Sequence, residues 1–415
     1  CYQGDVGLHV AKTIWAIHKK GTLPEDDKNI TEKVKWLGEM YVYGSQFDDD
    51  IHIQKEIAVV NKKIFEKSDH EINTIYEVGR RWSLVYFETI YARLGTAFNE
   101  YFFESEVADD GIAIVKEFLG KGVFTESEGA IVFKGEDHGL HTRVFITSNN
   151  LPTYEAKELG LNTEKFTLFP DLFESVIITA NEQNEYFKVI LKVFSLINPT
   201  IFSKTRHISH GILRFATGKM SSRKGNIISA DSLLSDIKTL VMERIADKDI
   251  SAEEKDELAD MVAIGAIKYT ILRQSIGSDV IFDSSASISF EGDSGPYLQY
   301  SVVRAQSIIE KAKTDGIAEL SKGTEVGPRY VASHLEKLIS RFPQIVAHAR
   351  NEYSPQHVAN YLIALSGAFN SYYAANIIVD KNDAQSPYRV ALTQAFITTM
   401  KNGLWLLGIK VPKRM

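Results

Sequence analysis

The sequence predicts an α/β domain with a largely parallel sheet, followed by an all-helical bundle. Between Ile131 and Ile228, short apolar runs of strand type alternate with helical segments, which is the pattern of an α/β domain. From Asp231 onward, apolar positions recur at helical spacing in one segment after another, the pattern of a helical bundle. A charge-rich helical stretch from Lys28 to about Leu119 is predicted to be an insertion with its own aromatic core.

The individual elements follow from the same patterns. A turn at Gln3–Gly7 leads into a first helix, and Leu151–Gly160 reads as a short helix with Thr153 as N-cap and Gly160 as its stop. The predicted strands are 130–133, 143–147, 176–179 and 212–215. The predicted bundle helices are 231–246, 252–274, 296–313, 327–341, 358–374 and 387–407.

Composition narrows the class of protein. The chain has 415 residues, a net charge of −7 and one cysteine, Cys1, which excludes an internal disulfide framework and a cysteine-built zinc site. No apolar run approaches the roughly 20 residues that span a bilayer. We therefore expect a cytoplasmic protein without a membrane segment.

Two stretches depart from the acidic balance. Residues 201–230 carry no Asp or Glu but six cations: Lys204, Arg206, Arg214, Lys219, Arg223 and Lys224. Within them, the glycine-flanked loop Gly218–Asn226 combines backbone freedom, serines and cations, as a phosphate clamp does; a solvated basic loop is the alternative. After Asp383 the chain again has only cations: Arg389, Lys401, Lys410, Lys413 and Arg414.

Three further groups are candidate ligand contacts. Tyr154 and Glu158, four residues apart, share one helix face and form either a site for a cationic group or a surface pair. Gln183 follows a predicted strand end, where α/β sheets bind ligands. On the helix after Pro296, a stripe of Tyr297, Tyr300 and Arg304 is suited to unpaired bases or to a helix core with an arginine at its rim.

Taken in order, these motifs resemble class I arginyl-tRNA synthetases from the first residue to the last. The stretches that carry the resemblance are 2–10, 139–146, 151–161, 182–188, 207–211, 219–226, 295–300 and 411–415. The resemblance implies a Rossmann-type catalytic domain over 1–235, with the helical insertion at about 28–119, and a helical anticodon-binding domain over 236–415. It implies ATP-dependent activation of L-arginine and its transfer to tRNA(Arg), and we expect a monomer.

The resemblance also implies roles for single residues. Tyr154, Glu158 and Gln183 match positions that recognise the arginine side chain, with Glu158 where the family often has Asp, and Asp5 matches a motif bordering that pocket. Tyr297, Tyr300, Arg304, Tyr373 and Met415 match anticodon-binding positions.

The ATP loop is matched by Lys219, Met220, Ser221 and Ser222, with His210 and Gly211 expected to shape the nucleotide site and Mg²⁺ to accompany ATP. The family's second loop lysine is replaced by Ser222, so we expect Arg223 or Lys224 to supply that charge.

One departure concerns the family's His-x-Gly-His signature, which has no counterpart in the sequence. We expect it upstream of Cys1, and we expect this chain alone to lack appreciable aminoacylation activity. Two alternatives are a non-catalytic tRNA-binding module derived from a synthetase and a class I synthetase for another amino acid, such as cysteine. Tyr154, Glu158 and Gln183, together with the lack of a zinc ligand set, argue against the cysteine enzyme.

Overall fold

The computed structural model describes residues 1–20, 23–24, 27–215, 229–317 and 331–415. The described residues divide into two units, one within 1–209 and the other within 210–415. The border predicted between residues 235 and 236 falls inside a helix of the second unit, so that division stays a prediction about function. No helix in the described ranges is both long and apolar enough to cross a membrane.

The first unit begins with a helical cluster. Its helices are α1 (Leu8–Lys20), α2 (Ile30–Ser45), α3 (Ile51–Glu66) and α4 (His70–Leu94). Asn29, Asp50 and Asp69 cap the last three by accepting hydrogen bonds from backbone N–H groups of the first turn, which satisfies otherwise unpaired donors. Trp15 and Trp82 are buried in the shared core. Residues 28–119 are largely helical, as predicted, but this core also includes residues of α1, so the insertion at about 28–119 stays a prediction.

The rest of the first unit supplies strands and the helices that cover them. Its strands are β1 (Tyr2–Gln3), β2 (Phe102–Phe103), β3 (Thr125–Ser127), β4 (Ala130–Phe133), β5 (Arg143–Ile146), β6 (Ser175–Ala180) and β7 (Thr205–His210). Its helices are α5 (Glu104–Gly120), α6 (Tyr154–Leu168), α7 (Asn184–Ile197) and α8 (Pro199–Lys204). β1 pairs in parallel with β2, and β6 pairs with β7.

One pairing differs from the parallel arrangement that the sequence predicts. β3, β4 and β5 form an antiparallel sheet. The connection from β4 to β5 holds only a single 3₁₀ turn, Gly135–His138, and parallel neighbours need a longer crossover.

The second unit is mainly helical. β8 (Leu213–Phe215) pairs in parallel with β9 (Val280–Phe282). The helices are α9 (Ala230–Arg244), α10 (Ala252–Leu272), α11 (Ser284–Ser287), α12 (Gly295–Thr314), α13 (His334–Asn351), α14 (Gln356–Ala375) and α15 (Ser386–Leu406). Of the predicted helix 327–341, residues 327–330 lie outside the described residues. Leu298, Leu362 and Phe396 are fully buried in the core that α12, α14 and α15 share.

Helix α6 continues past Gly160, so the prediction that Gly160 ends it is wrong. The residue is a glycine for a tertiary reason. A Cβ at Gly160 would overlap the carbonyl oxygen of Val107, and one at Gly111 would overlap that of Ala156. The backbones of α5 and α6 therefore touch, which no side chain larger than hydrogen would allow.

We predict that Gly160→Ala lowers the free energy of unfolding by about 2–3 kcal/mol, because the added methyl group overpacks this helix contact. Gly120→Ala is the control, since a Cβ at the end of α5 meets no atom within 4 Å. Urea denaturation measures both variants. Equal stabilities of the two variants would contradict the inferred backbone contact.

Candidate functional site

The predicted phosphate loop falls on a part of the chain without a described structure. Lys219, Met220, Ser221, Ser222, Arg223 and Lys224 lie outside the described residues. His210 and Gly211, just before it, are described. His210 Nδ1 lies 2.8 Å from the carbonyl oxygen of Gly211, and a Cβ at Gly211 would overlap the backbone of Ser278. Gly211 thus lets the chain pass close to the segment that leads into β9.

Helix α6 places Glu158 inside the protein. The residue is 6% exposed, and burial raises the pKa of its carboxyl group. Asn162, one turn later, donates from Nδ2 to Glu158 Oε1 at 2.7 Å. Glu158 also lines a cleft of about 850 Å³ whose walls include Tyr2, Phe102 and Lys165.

Tyr154 lies at the start of the same helix and is 52% exposed. A Cβ at Gly7 would lie 3.8 Å from its hydroxyl oxygen. The carbonyl oxygen of Tyr154 accepts a hydrogen bond from the Tyr186 hydroxyl at 3.0 Å. This bond ties the first turn of α7 to the first turn of α6. Gln183, which immediately precedes α7, is exposed on the turn Asn181–Gln183.

Asp5 is already engaged by neighbouring groups. Its carboxylate accepts hydrogen bonds from Arg80 Nε at 2.8 Å, the Tyr76 hydroxyl at 3.2 Å, and both the backbone N–H and the hydroxyl of Ser105 at 3.0 and 2.7 Å. These donors lie on α4 and in the first turn of α5. Asp5 therefore holds the turn before α1 against two helices.

A buried charge cluster lies beside these residues and was missed by sequence reasoning. Lys157 Nζ donates to Glu104 Oε2 at 3.0 Å, with both side chains at most 6% exposed. Burial raises the pKa of Glu104, and Lys157 opposes that rise. The pKa of Tyr2 is raised by burial and by the charges of Glu104, Glu158 and Asp5. Three carboxyl groups, those of Glu104, Glu158 and Asp5, therefore lie near the Tyr2 hydroxyl.

His207 has a structural setting. Its Nε2 is hydrogen-bonded to the Thr179 hydroxyl at 2.8 Å, and its ring stacks on Phe187 with centroids 4.1 Å apart. Burial lowers its pKa, so it is neutral at pH 7. It joins β7 to the end of β6 and to α7.

In the second unit, α12 carries the predicted stripe. Arg304 Nη2 donates to the Tyr300 hydroxyl at 3.2 Å, and its guanidinium carbon lies 4.9 Å from the Tyr300 ring centroid. The Tyr297 hydroxyl accepts from Asn370 Nδ2 at 2.8 Å. Tyr373, one turn after Asn370 on α14, is 42% exposed. Tyr297 on α12 and Tyr373 on α14 therefore lie close to the hydrogen bond that joins the two helices.

Met415 follows Arg414, which lies near the start of α10 at about the level of Arg304 in the middle of α12. α10 and α12 are antiparallel, because Gly295 contacts Gly265 while Gln299 Nε2 donates to the carbonyl oxygen of Met261. Continuing this register brings Arg304 to the level of residue ~256, since both helices rise 1.5 Å per residue. Arg414 pairs with Glu254 at 2.5 Å, within about one turn of that level.

Two family models match successive parts of the chain. A family model described as "tRNA synthetases class I (R), catalytic domain" matches residues 2–284. A second model, "DALR anticodon binding domain", matches residues 298–415.

Individual proteins are similar over nearly the whole chain. The arginine–tRNA ligase of Flavobacterium psychrophilum is 28% identical over 437 residues, covering 99% of this chain and 72% of the relative. That of Borreliella burgdorferi is 28% identical over 425 residues, with the same coverage of 99% and 72%. The structure of Thermus thermophilus arginyl-tRNA synthetase matches with a TM-score of 0.82 at 23% identity, covering 100% of this chain and 75% of that one. At that identity the structural match shows a shared fold.

We predict that Lys157→Met lowers the free energy of unfolding by about 3 kcal/mol at pH 7, because it leaves the Glu104 carboxylate buried without its partner. The loss in free energy of unfolding becomes smaller as the pH falls towards about 4, because protonation of Glu104 removes the uncompensated charge. Lys121→Met is the control, because the Lys121–Glu117 pair is more than half exposed and such pairs contribute little. Urea denaturation at pH 7 and at a lower pH measures both variants. Equal losses of unfolding free energy in Lys157→Met and Lys121→Met at both pH values would contradict the prediction.

Proposed function

The chain belongs to the family of class I (R) tRNA synthetases, and from this premise we propose that it is an arginine–tRNA ligase. In this proposal the protein activates L-arginine with ATP and transfers the arginyl group to the 3′ end of tRNA(Arg), while residues 1–415 alone, which have no His-x-Gly-His signature, lack appreciable aminoacylation activity. The observation that carries the proposal is the buried carboxylate of Glu158, which lines a cleft. Glu158 lies in the part of the chain that the catalytic-domain model matches, and that part is more than half of the chain.

In this proposal Glu158 recognises the guanidinium group of arginine. A guanidinium is planar and offers five donors in a fixed arrangement, and a hydrogen bond from it to a carboxylate oxygen is charge-assisted. Asn162 holds Glu158 Oε1, and Oε2 is the oxygen we assign to the substrate. Tyr154 and Gln183 complete the contact from the starts of α6 and α7. Lysine carries a single ammonium group, so the site rejects it by geometry.

Asp5 acts in this proposal by positioning. Its carboxylate fixes the turn before α1 to Arg80 and Ser105, and that turn includes Gly7, next to the Tyr154 hydroxyl. Asp5 thus fixes the position of the turn that borders the arginine site beside Tyr154.

The chemistry of activation is proposed for the phosphate loop. A carboxylate oxygen of arginine attacks the α-phosphorus of ATP, the bond to the bridging oxygen breaks, and pyrophosphate leaves. Lys219, with Met220, Ser221 and Ser222, would bind the phosphates, and Arg223 or Lys224 would add the second charge. Mg²⁺ bound to the triphosphate would offset its negative charge. Within the described ranges, no group of three or more His, Cys, Asp or Glu side chains is placed to hold a metal ion.

Transfer occurs when a ribose hydroxyl of the terminal adenosine attacks the arginyl carbonyl carbon and AMP leaves. We propose that the second unit holds the anticodon loop meanwhile, with Tyr297, Tyr300, Arg304, Tyr373 and Met415 as its contacts. The rings offer stacking surfaces to unpaired bases. We further propose that the protein works as a monomer in the cytoplasm, where translation uses its product.

We predict that Glu158→Gln weakens L-arginine binding roughly 10- to 100-fold, because a charge-assisted hydrogen bond contributes about 1.5–3 kcal/mol. In the unmodified chain, affinity rises with pH as Glu158 ionises, at a pH above the ordinary carboxyl range because its pKa is raised. This pH dependence disappears in the variant. Calorimetry measures both effects.

Glu164→Gln, the same change on the same helix, is the matched control and keeps both affinity and pH dependence. An arginine affinity unchanged by Glu158→Gln would remove Glu158 from the proposed site.

We predict that Tyr300→Ala weakens binding of tRNA(Arg) about tenfold, because stacking of a base contributes about 1–3 kcal/mol. Tyr300→Phe keeps the ring and therefore most of the affinity, although it loses the hydrogen bond from Arg304. Filter binding with tRNA(Arg) and a second, non-cognate tRNA checks this. Equal affinities of the Ala and Phe variants would contradict a stacking role.

A further inference from the structure

The last residues of the chain form a strap, residues 409–415, that lies along α10. The chain leaves α15 through Gly408, whose φ of +65° is the left-handed conformation that glycine tolerates. Ile409 and Val411 pack into the core of the second unit, and three polar side-chain contacts also hold the chain from Gly408 onward. Lys268 Nζ donates to the carbonyl oxygen of Gly408 at 2.7 Å. Gln299 Nε2 donates to that of Lys410 at 2.7 Å. Arg414 pairs with Glu254 at 2.5 Å.

The strap contacts α10 directly at Lys268 and Glu254. Between them it is joined to α12, where Gln299 Nε2 donates both to the carbonyl oxygen of Lys410 and to that of Met261 on α10. The levels 254, 261 and 268 are spaced by seven, and positions seven apart return to nearly the same helix face. From 268 to 254 the helix covers about 21 Å at 1.5 Å per residue. Residues 408 to 414 cover about 20 Å when extended at 3.3 Å per residue. The strap is therefore extended and runs antiparallel to α10.

Gln299 is buried at the centre of this arrangement. Its side chain is fully buried, and its Oε1 has no hydrogen-bond partner within the described structure. A buried amide oxygen without a partner is costly, so packing alone would favour an apolar residue. A Cβ at Gly265 would lie 2.8 Å from the Gln299 amide, so the facing helix leaves room for this side chain. A glutamine is found here because its side-chain N–H group donates to the carbonyl oxygen of Lys410, which an apolar residue could not do.

We propose that Gln299 is a positioning residue for RNA binding. It fixes the strap so that Lys410 and Lys413, both exposed, meet RNA phosphates beside the first half of α10, where Arg304 also lies. A loose tail would lose backbone entropy for each residue ordered on binding, and a strap held beforehand avoids that loss. This inference rests on the proposed function, and it gives a role to a glutamine in the Gly295–Tyr300 motif.

Two measurements on Gln299→Leu test the proposal in the full chain. Carboxypeptidase digestion followed by intact mass reports whether the strap is held, and we expect release of the last residues several-fold faster than from the unmodified chain. Filter binding reports affinity for tRNA(Arg), and we expect a loss of about fivefold, as one hydrogen bond predicts. Arginine binding by calorimetry stays unchanged. Lys268→Met is a second variant with the same expected direction.

Gln394→Leu, at an exposed position of α15, is the matched control and changes neither rate nor affinity. A double-mutant cycle with Lys413→Ala separates positioning from general destabilisation. If Gln299 acts through the strap, the two losses in tRNA affinity are less than additive.

Additive losses, or faster digestion with unchanged tRNA affinity, would overturn the proposal. Failure of the unmodified chain to bind tRNA(Arg) would instead refute the proposed function. The two failures are distinguishable because the digestion rates involve no RNA.

Discussion

The contact between the backbones of α5 and α6 is the constraint on which the first unit depends. Gly111 and Gly160 let the two helices approach until each backbone touches the other. At that separation Glu104, at the start of α5, reaches Lys157 on α6. The next residue, Glu158, then lies buried on the cleft. A wider spacing would let water reach these charges and would weaken every electrostatic interaction among them.

The second unit uses the same device for a different purpose. Gly265 and Gly295 bring α10 and α12 into backbone contact, and the small residue at 265 makes room for Gln299. The close helix pair then carries two features that we assign to RNA: the Tyr300–Arg304 contact on one helix and the strap along the other. In both units, glycines at close helix contacts determine how precisely functional side chains are held, and those in helix interiors, Gly111, Gly160 and Gly265, cost about 1 kcal/mol each in helix propensity.

Local features of the site could be predicted from the sequence, and contacts between distant segments could not. The helical spacing of Tyr154 and Glu158 and the stripe of Tyr297, Tyr300 and Arg304 follow from periodicity, which needs no tertiary information. Gly160 resembles a helix stop in the sequence because its real partner, Val107, is far away along the chain. The burial of Glu104 with Lys157 has the same origin, since the two residues lie 53 positions apart along the chain and no periodicity relates them.

The central claim is that Glu158 and its neighbours recognise a guanidinium group. Calorimetric titration of the chain with L-arginine and, separately, with L-lysine tests this most directly, because the two ligands carry the same charge and differ in the geometry of their donors. The account predicts that arginine binds at least about tenfold more tightly, as one additional hydrogen bond to a charged group implies. Equal affinities for arginine and lysine would contradict it.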